Sequence, residues 1–230
     1  MKLEACIETF AEAKLASQHN LNRVELCSGL DLGGLTPTAI LISACAEVIE
    51  VHAMIRPQAG NFIYTEDEMA IMLSEIEAAK AAGASGVVFG CLTFENNIDF
   101  ALAQHLVLAA QKLNLQTTFH RAFEFLEDQA LGLKMLIDLG INRVLTSGGK
   151  ATALEGIENI KKLVAASNDR IEIMAGSSVN ASNILALKET GIDAAHFSIR
   201  KKTGEVLPLG MGENYVTDEV KILGILSLMK

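Results

Sequence analysis

Tryptophan is absent from this 230-residue chain, and only three residues are proline. Basic residues are also scarce, because 19 lysines and arginines stand against 28 aspartates and glutamates, for a net charge of −9. A nucleic-acid-binding face needs clustered positive charge, so this balance argues against a nucleic-acid partner. The scarcity of proline is typical of a chain built mostly from regular helices and strands.

Long apolar runs are missing as well. The first ten residues, MKLEACIETF, hold no apolar stretch long enough for a signal peptide, and no uncharged run reaches the length of a membrane span. Half of the residues are hydrophobic, which indicates a folded chain. We therefore expect a cytoplasmic protein that has no membrane partner.

The sequence also lacks closely spaced pairs of cysteines. The four cysteines are Cys6, Cys27, Cys45 and Cys91, and none of them forms a CxxC motif. Without a secretory signal, reduced thiols are favoured over a disulfide framework. Cys45 lies in a predicted helix and Cys91 just after a predicted strand, and both are interpreted as buried structural thiols.

Short segments rich in β-branched residues alternate with longer helical segments eight times along the chain. The predicted strands are 3–8, 22–27, 49–56, 86–90, 116–120, 142–146, 170–174 and 193–199. This alternation predicts one α/β domain over residues 1–230, a (β/α)8 TIM-type barrel. Residues 201–230 are expected to form a long loop, with Gly-Met-Gly at 210–212, and a C-terminal helix that closes the barrel. A doubly wound open sheet is the alternative, but the strand count and the absence of a linker favour the barrel.

Several of these strands alternate apolar and polar residues, whereas parallel strands covered on both faces are usually apolar throughout. Because side chains alternate between the two faces of a strand, the apolar set is expected to face the helices and the polar set the barrel interior. The predicted interior set is Glu4, Glu25, Glu50, His52, Arg56, Glu172, His196 and Arg200. At the amino ends of the strands, an ion-pair network that stabilises the barrel is an equally good interpretation of Glu4, Glu50, His52 and Glu172.

Residues at the carboxyl ends of the strands are the better candidates for function, because active sites of this fold are built there. We predict anion binding by Arg56, Arg121, Ser147 and Arg200, and acid–base chemistry by Glu25 and His120, with Thr146, His196 and Ser198 also in the pocket. The turns at 147–149 and 176–178 are expected to offer backbone N–H groups to a phosphate. In the alternative interpretation, Glu25 only pairs with Arg56 and carries no proton.

His120 and Arg121 follow the fifth strand and have opposite parity. His120 shares the parity of Thr118 and is expected to point into the barrel mouth. Arg121 enters the pocket only if the strand ends before it. Together these residues suit a lyase or isomerase that acts on a small anionic or phosphorylated metabolite.

A metal site competes with the enzyme interpretation. The sulfur atoms of Cys6, Cys27, Met54 and Met174 are predicted to face the interior, and soft sulfur ligands select Cu(I). Their spacing matches no tight metal motif, and cysteine and methionine are also ordinary core residues. No organic cofactor is indicated.

Several motifs in chain order resemble the CutC copper-homeostasis family. They are Glu25-Leu26-Cys27, Gly33-Gly34-Leu35-Thr36-Pro37, Met54-Ile55-Arg56-Pro57, Thr118-Phe119-His120-Arg121-Ala122-Phe123, Leu145-Thr146-Ser147-Gly148 and His196-Phe197-Ser198. The resemblance implies a cytoplasmic TIM-like barrel, often oligomeric, that is associated with copper tolerance and copper binding. For such a protein we expect Cys27 as the first Cu(I) ligand, with Cys6 and the inward methionines after it, and a dimer as the first homo-oligomer to test. The chain departs from the family at Gly176-Ser177-Ser178, where a glycine-richer turn is expected, and this weakens the case for a phosphate loop there.

Overall fold

Eight parallel strands form a closed barrel in chain order, as seen in a computed structural model that describes residues 1–206, 209 and 213–229. The strands are β1 (Lys2–Ile7), β2 (Arg23–Leu26), β3 (Val51–Met54), β4 (Gly86–Phe89), β5 (Gln116–Phe119), β6 (Arg143–Thr146), β7 (Glu172–Ala175) and β8 (Ala194–Ser198). Strand β8 pairs with β1 and so closes the ring. The predicted TIM-type barrel is confirmed, and each strand lies within two residues of its predicted bounds.

Helices cover the outside of the barrel. They are α1 (Phe10–Gln18), α2 (Ala39–Ala46), α3 (Glu66–Ala81), α4 (Phe100–Lys112), α5 (Gln129–Leu139), α6 (Ile157–Ser167), α7 (Ile184–Lys188) and α8 (Glu219–Leu228), with short 3-10 helices at Leu30–Leu32 and Arg121–Phe125. Thr65 and Glu68 form the capping box that opens α3. Among the described residues, no helix has the length and apolar character needed to cross a membrane.

The barrel interior follows the predicted parity. Apolar residues such as Val24, Val87 and Ile173 belong to the main core beneath the helices. On the opposite face, strand register places Glu4 beside both Arg23 and His196, and Cys6 beside Glu25. Pairing of β1 with β2 and β8 therefore brings the side chains of Cys6, Glu25 and His196 together at one side of the barrel.

Residues 200–217 correct the prediction of a long loop after the eighth strand. β9 (Arg200–Val206) and β10 (Glu213–Thr217) pair as a two-stranded antiparallel ribbon. Much of this ribbon is exposed, and it has polar residues on both faces. It therefore lacks the alternation of apolar and polar residues by which a half-buried strand is recognised in a sequence. The Gly-Met-Gly at 210–212 lies outside the described residues. Helix α8 packs on α7 and reaches α1 through the His19–Glu219 ion pair at 2.7 Å, so it completes the outer ring.

Ion pairs fill the lower barrel, which agrees with the interpretation of this layer as a stabilising network. Arg23 pairs with Glu4, and Arg143 Nε donates to Glu172 Oε2 at 2.6 Å. Sequence reasoning missed both arginines, although Arg23 has the same parity as Glu25. Nε2 of the fully buried His52 donates to Glu50 Oε1 at 3.1 Å, and the ring fills the space that a Cβ on Gly86 would enter at 2.7 Å.

Candidate functional site

Two adjoining cavities lie at the carboxyl ends of the strands. The first, which we call the mouth cavity, has a volume of about 530 Å³, and the second about 550 Å³. Both are lined by Cys6, Leu30, Arg121 and His196. The mouth cavity also reaches Glu25, Arg56 and His120, whereas the second cavity reaches Ser198 and Arg200.

Two thiols, a carboxyl and an imidazole meet at the floor of the mouth cavity. Glu25 Oε2 lies 3.2 Å from Cys6 Sγ, 3.6 Å from Cys27 Sγ and 3.7 Å from His196 Nε2. The ligand atoms of Cys6, Glu25 and His196 all lie within 4.8 Å of one another. Met54 packs against the two cysteines, and we call these five residues the sulfur cluster.

Met174, also predicted as an inward sulfur, lies elsewhere. It packs with Leu145 and Ala194, and its sulfur lies 3.7 Å from Arg23 Nη2 in the lower barrel. Cys45 and Cys91 belong to the apolar core, as expected of structural thiols. The sulfur cluster therefore contains one of the two predicted methionines.

The members of the sulfur cluster shift one another's pKa. The Cys27 thiol donates a hydrogen bond to Cys6 sulfur, and together with His196 this lowers the pKa of Cys6 to about 5 although burial opposes it. The same hydrogen bond, with burial, raises the pKa of Cys27 well above its usual value. Burial and the neighbouring Cys6 charge raise the pKa of Glu25. These shifts favour ionisation of the Cys6 thiol over that of Cys27.

His196 is held from below by Glu4, whose Oε1 lies 2.8 Å from His196 Nδ1. Burial alone would lower the pKa of His196, but the negative charge of Glu25 and hydrogen bonds to Cys6 and Glu4 raise it well above its usual value. A carboxylate behind an imidazole also fixes the ring orientation, as in many metal sites. The lower ion-pair layer therefore orients the His196 nitrogen that faces the sulfur cluster.

His120 begins a tight turn at the edge of the mouth cavity. β5 ends at Phe119, and His120 Nδ1 accepts a hydrogen bond from Ala122 N at 3.1 Å, capping the 3-10 helix that follows. Burial, and the positive charge of Arg56, lower the pKa of His120 to about 3, so the ring is neutral at pH 7. Its Nε2 is buried and has no partner within the described part of the chain.

Arg56 is engaged by the protein itself. Its guanidinium donates to the carbonyls of Leu32 at 2.9 Å, Gly34 at 3.0 Å and Gly60 at 2.8 Å. It also lies over the ring of Phe62, 4.9 Å from the centroid. The alternative prediction of a Glu25–Arg56 pair is wrong, because the partners of Glu25 are Cys6, Cys27 and His196.

The turn at Ser147–Gly149 does not present free N–H groups to a phosphate. Ser147 N donates to Glu124 Oε1 at 2.7 Å and Gly149 N to Glu124 Oε2 at 2.6 Å. Gly148 N donates to Thr146 Oγ1 at 2.9 Å, so Thr146 supports the turn and Leu145 lines the cavity in its place. The carboxylate of Glu124 therefore occupies the position expected for a phosphate. Apart from its closeness to His120, nothing in the sequence marked Glu124 as a residue of this turn.

Arg121 and Arg200 occupy different places. Because β5 has ended, Arg121 lies half-buried between the two cavities and donates through Nη2 to Ser147 Oγ at 3.1 Å. Arg200 pairs with Glu8 and stacks on Tyr215, 4.2 Å from the ring centroid. Ser198 Oγ accepts from Arg200 N at 3.2 Å. Arg200 and Ser198 therefore line the second cavity and do not join the mouth cavity.

Comparison with known proteins identifies a family for this chain. The CutC family model matches residues 1–201. A CutC relative from Glaesserella parasuis is 44% identical over 203 residues, covering 87% of this chain and 83% of the relative. One from Pasteurella multocida is 41% identical over 226 residues, with 95% and 92% covered. A solved CutC structure from Streptococcus agalactiae, described as a copper homeostasis protein, superposes with a TM-score of 0.80 at 35% identity, covering 85% of this chain and 97% of that one. The chain therefore belongs to the CutC family.

Proposed function

We propose that this protein binds Cu(I) through the sulfur cluster and serves copper homeostasis in the cytoplasm. The observation that carries the proposal is the meeting of Cys6, Cys27 and His196 around one carboxyl at the barrel mouth. Family membership and the description of the Streptococcus agalactiae relative support the copper role.

The chemistry of the donors fits Cu(I). Thiolate and thioether ligands select Cu(I) over harder ions, and an imidazole nitrogen is a common additional ligand. The cluster supplies two thiols, the Met54 thioether and His196. A buried, largely apolar position keeps water away from such an ion. The residues that would hold copper are therefore Cys6, Cys27 and His196, with Met54 beside them.

The order of importance changes from the sequence prediction, which placed Cys27 first. Cys6 lines both cavities, and its lowered pKa favours the thiolate that a metal needs. Cys27 is fully buried behind it, and its pKa is raised. We propose Cys6 as the first ligand and Cys27 as the second.

Competition titration of reduced, oxygen-free protein with Cu(I) and a chromophoric chelator tests the proposal. We expect one Cu(I) per chain and a loss of affinity of at least about 10-fold in both C6S and C27S, the lower range seen when even an outer contact of a metal site is removed. C91S is the matched control, since Cys91 is a buried thiol in the apolar core. Wild-type affinity in both C6S and C27S would refute the proposal.

The sequence alternative, a lyase or isomerase that acts on a small anionic or phosphorylated metabolite, has less support for a phosphorylated substrate. Arg56 is engaged by three carbonyls, and Glu124 occupies the turn expected to bind phosphate. We also propose that the protein is a homo-oligomer, with a dimer as the state to test. Sedimentation velocity of the copper-free and copper-loaded protein measures this directly, and a monomer at all concentrations would contradict it.

A further inference from the structure

The mouth cavity is far larger than a metal ion requires. Its volume of about 530 Å³ lies within the ~300–1,000 Å³ range of small-molecule sites. The sulfur cluster occupies only its floor. Above the floor, the walls come from Phe62, Phe125, His120, Arg121 and Lys150. Copper binding at the floor leaves this upper space without a role.

His120 lines that space, and its neutral ring carries one hydrogen-bond donor. Nδ1 accepts from Ala122 N, so the single proton of the neutral ring lies on Nε2. His120 is 5% exposed, and Nε2 has no partner among the described residues. A buried donor without a partner costs stability, typically about 1–3 kcal/mol. An acceptor atom of a bound molecule would satisfy it.

Positive charge surrounds this donor. Arg56 and Arg121 line the cavity, each with a buried Nε that lacks a partner in the described part of the chain, and exposed Lys150 lies at the rim. The carboxylate of Glu124, the negative group on the same wall, is held by two backbone N–H groups. The cavity therefore favours an anion over a cation.

Aromatic rings form one wall. Phe62 lies 4.8 Å from the His120 ring and 5.7 Å from the Phe125 ring, measured between centroids. Phe125 is 57% exposed, so its apolar surface is open to a bound molecule. Such a wall packs well against a flat carbon skeleton.

We propose that the mouth cavity binds a small organic carboxylate with a flat carbon skeleton, held by the Nε2–H of His120 and the guanidinium of Arg121. The carboxylate pairs with Arg121, an adjacent oxygen accepts from His120, and the carbon skeleton lies on Phe62 and Phe125. Phosphate is disfavoured because the backbone donors of the 147–149 turn are already occupied. Because these contacts lie above the sulfur cluster, the inference does not depend on copper binding.

Calorimetric titration of copper-free protein, with a copper chelator present, tests the inference with salicylate, benzoate, cyclohexanecarboxylate and inorganic phosphate as probes. We expect the two aromatic acids to bind and to raise Tm. Cyclohexanecarboxylate and phosphate should bind at least about 10-fold more weakly, which corresponds to about 1.4 kcal/mol. No binding of either aromatic acid, or equal binding of phosphate, would overturn the proposal.

Variants of His120 separate the donor from the fold. H120N keeps an acceptor for Ala122 N but has no N–H at the Nε2 position, and we expect salicylate to bind about 10-fold more weakly or worse. H120Q restores an N–H near the Nε2 position and should recover most of that loss. R121Q provides an independent test with a similar expected loss, should H120N fold poorly. Wild-type binding by H120N and R121Q would refute the assigned contacts.

Discussion

Stability below neutral pH should depend strongly on His120. The pKa of this buried ring is about 3 in the folded protein, against a usual value of 6.5 in the unfolded chain. As the pH falls through 6.5, His120 becomes protonated in the unfolded state but stays neutral in the folded state. Because the unfolded state then binds more protons, the free energy of unfolding falls with falling pH. The stability contributed by neutral His120 is complete above pH 6.5 and is lost progressively down to about pH 3.

The size of the effect follows from the same two values. At pH 5 the unfolded ring is nearly fully protonated and the folded ring is not. The difference of 1.5 units between 6.5 and 5 corresponds to about 2 kcal/mol lost from the pH 7 stability, at 1.36 kcal/mol per unit. This magnitude holds for any folded pKa well below 5.

Urea unfolding of wild type and H120N at pH 7 and pH 5 measures the effect. The quantity compared is the free energy of unfolding that each protein loses between the two pH values. H120N has no titrating ring but keeps the cap on Ala122 N, so it should lose about 2 kcal/mol less than wild type between the two pH values. H105N is the matched control, because His105 lies exposed on α4. If wild type and H120N lose the same free energy within about 0.5 kcal/mol, a typical additivity error, His120 is not held neutral by the fold.

Three further perturbations test other parts of the barrel. G90A should destabilise by about 1–3 kcal/mol in urea, because the new Cβ overlaps the His120 ring, and the cost should shrink in an H120A background. R143A should cost about 2–5 kcal/mol because it empties a fully buried site and removes the donors to Glu172, Thr118 and Gln116. K161A, which breaks an exposed pair with Glu158, should cost less than about 1 kcal/mol in the same assay. E124Q should lower Tm, because a neutral amide replaces the carboxylate that accepts two backbone N–H groups, with a cost of about 1–3 kcal/mol measured by urea unfolding. An unchanged midpoint in any of these variants would contradict the corresponding contact.

The barrel was predictable because its signals are local. Thr65 and Glu68, three residues apart, predict the start of a helix. The alternation of apolar and polar residues in β1 and β3 predicts which face of the sheet each side chain lies on. Parity with the strand also predicted that His120 faces the mouth, and that Arg121 enters it only after the strand ends. These inferences need only the chain within a few residues of each position.

The partners of the mouth residues were not predictable, because they come from distant loops. Arg56 is engaged by carbonyls of Leu32, Gly34 and Gly60, whose directions depend on turns with positive φ at Gly34 and Gly60. Glu124 reaches a turn 23 residues further along the chain. Arg143 lies on β6, whose residues do not alternate between polar and apolar, so no pattern marks it as an interior residue. Arg23 shares the parity of Glu25 on β2 and was recognisable from the sequence.

Strand β4 begins with Gly86 and is followed directly by Gly90, and imidazole rings from neighbouring strands fill the space beside both glycines. The side chains at positions 86 and 52 therefore compete for one space, and those at positions 90 and 120 compete for another. A larger residue at either glycine avoids a loss of stability only when the facing histidine has become smaller, so substitutions at the two positions of each pair are expected to be coupled. Comparison of CutC sequences should show these two pairs changing together, and the pair at 90 and 120 should be the more restricted if its imidazole also contacts a ligand.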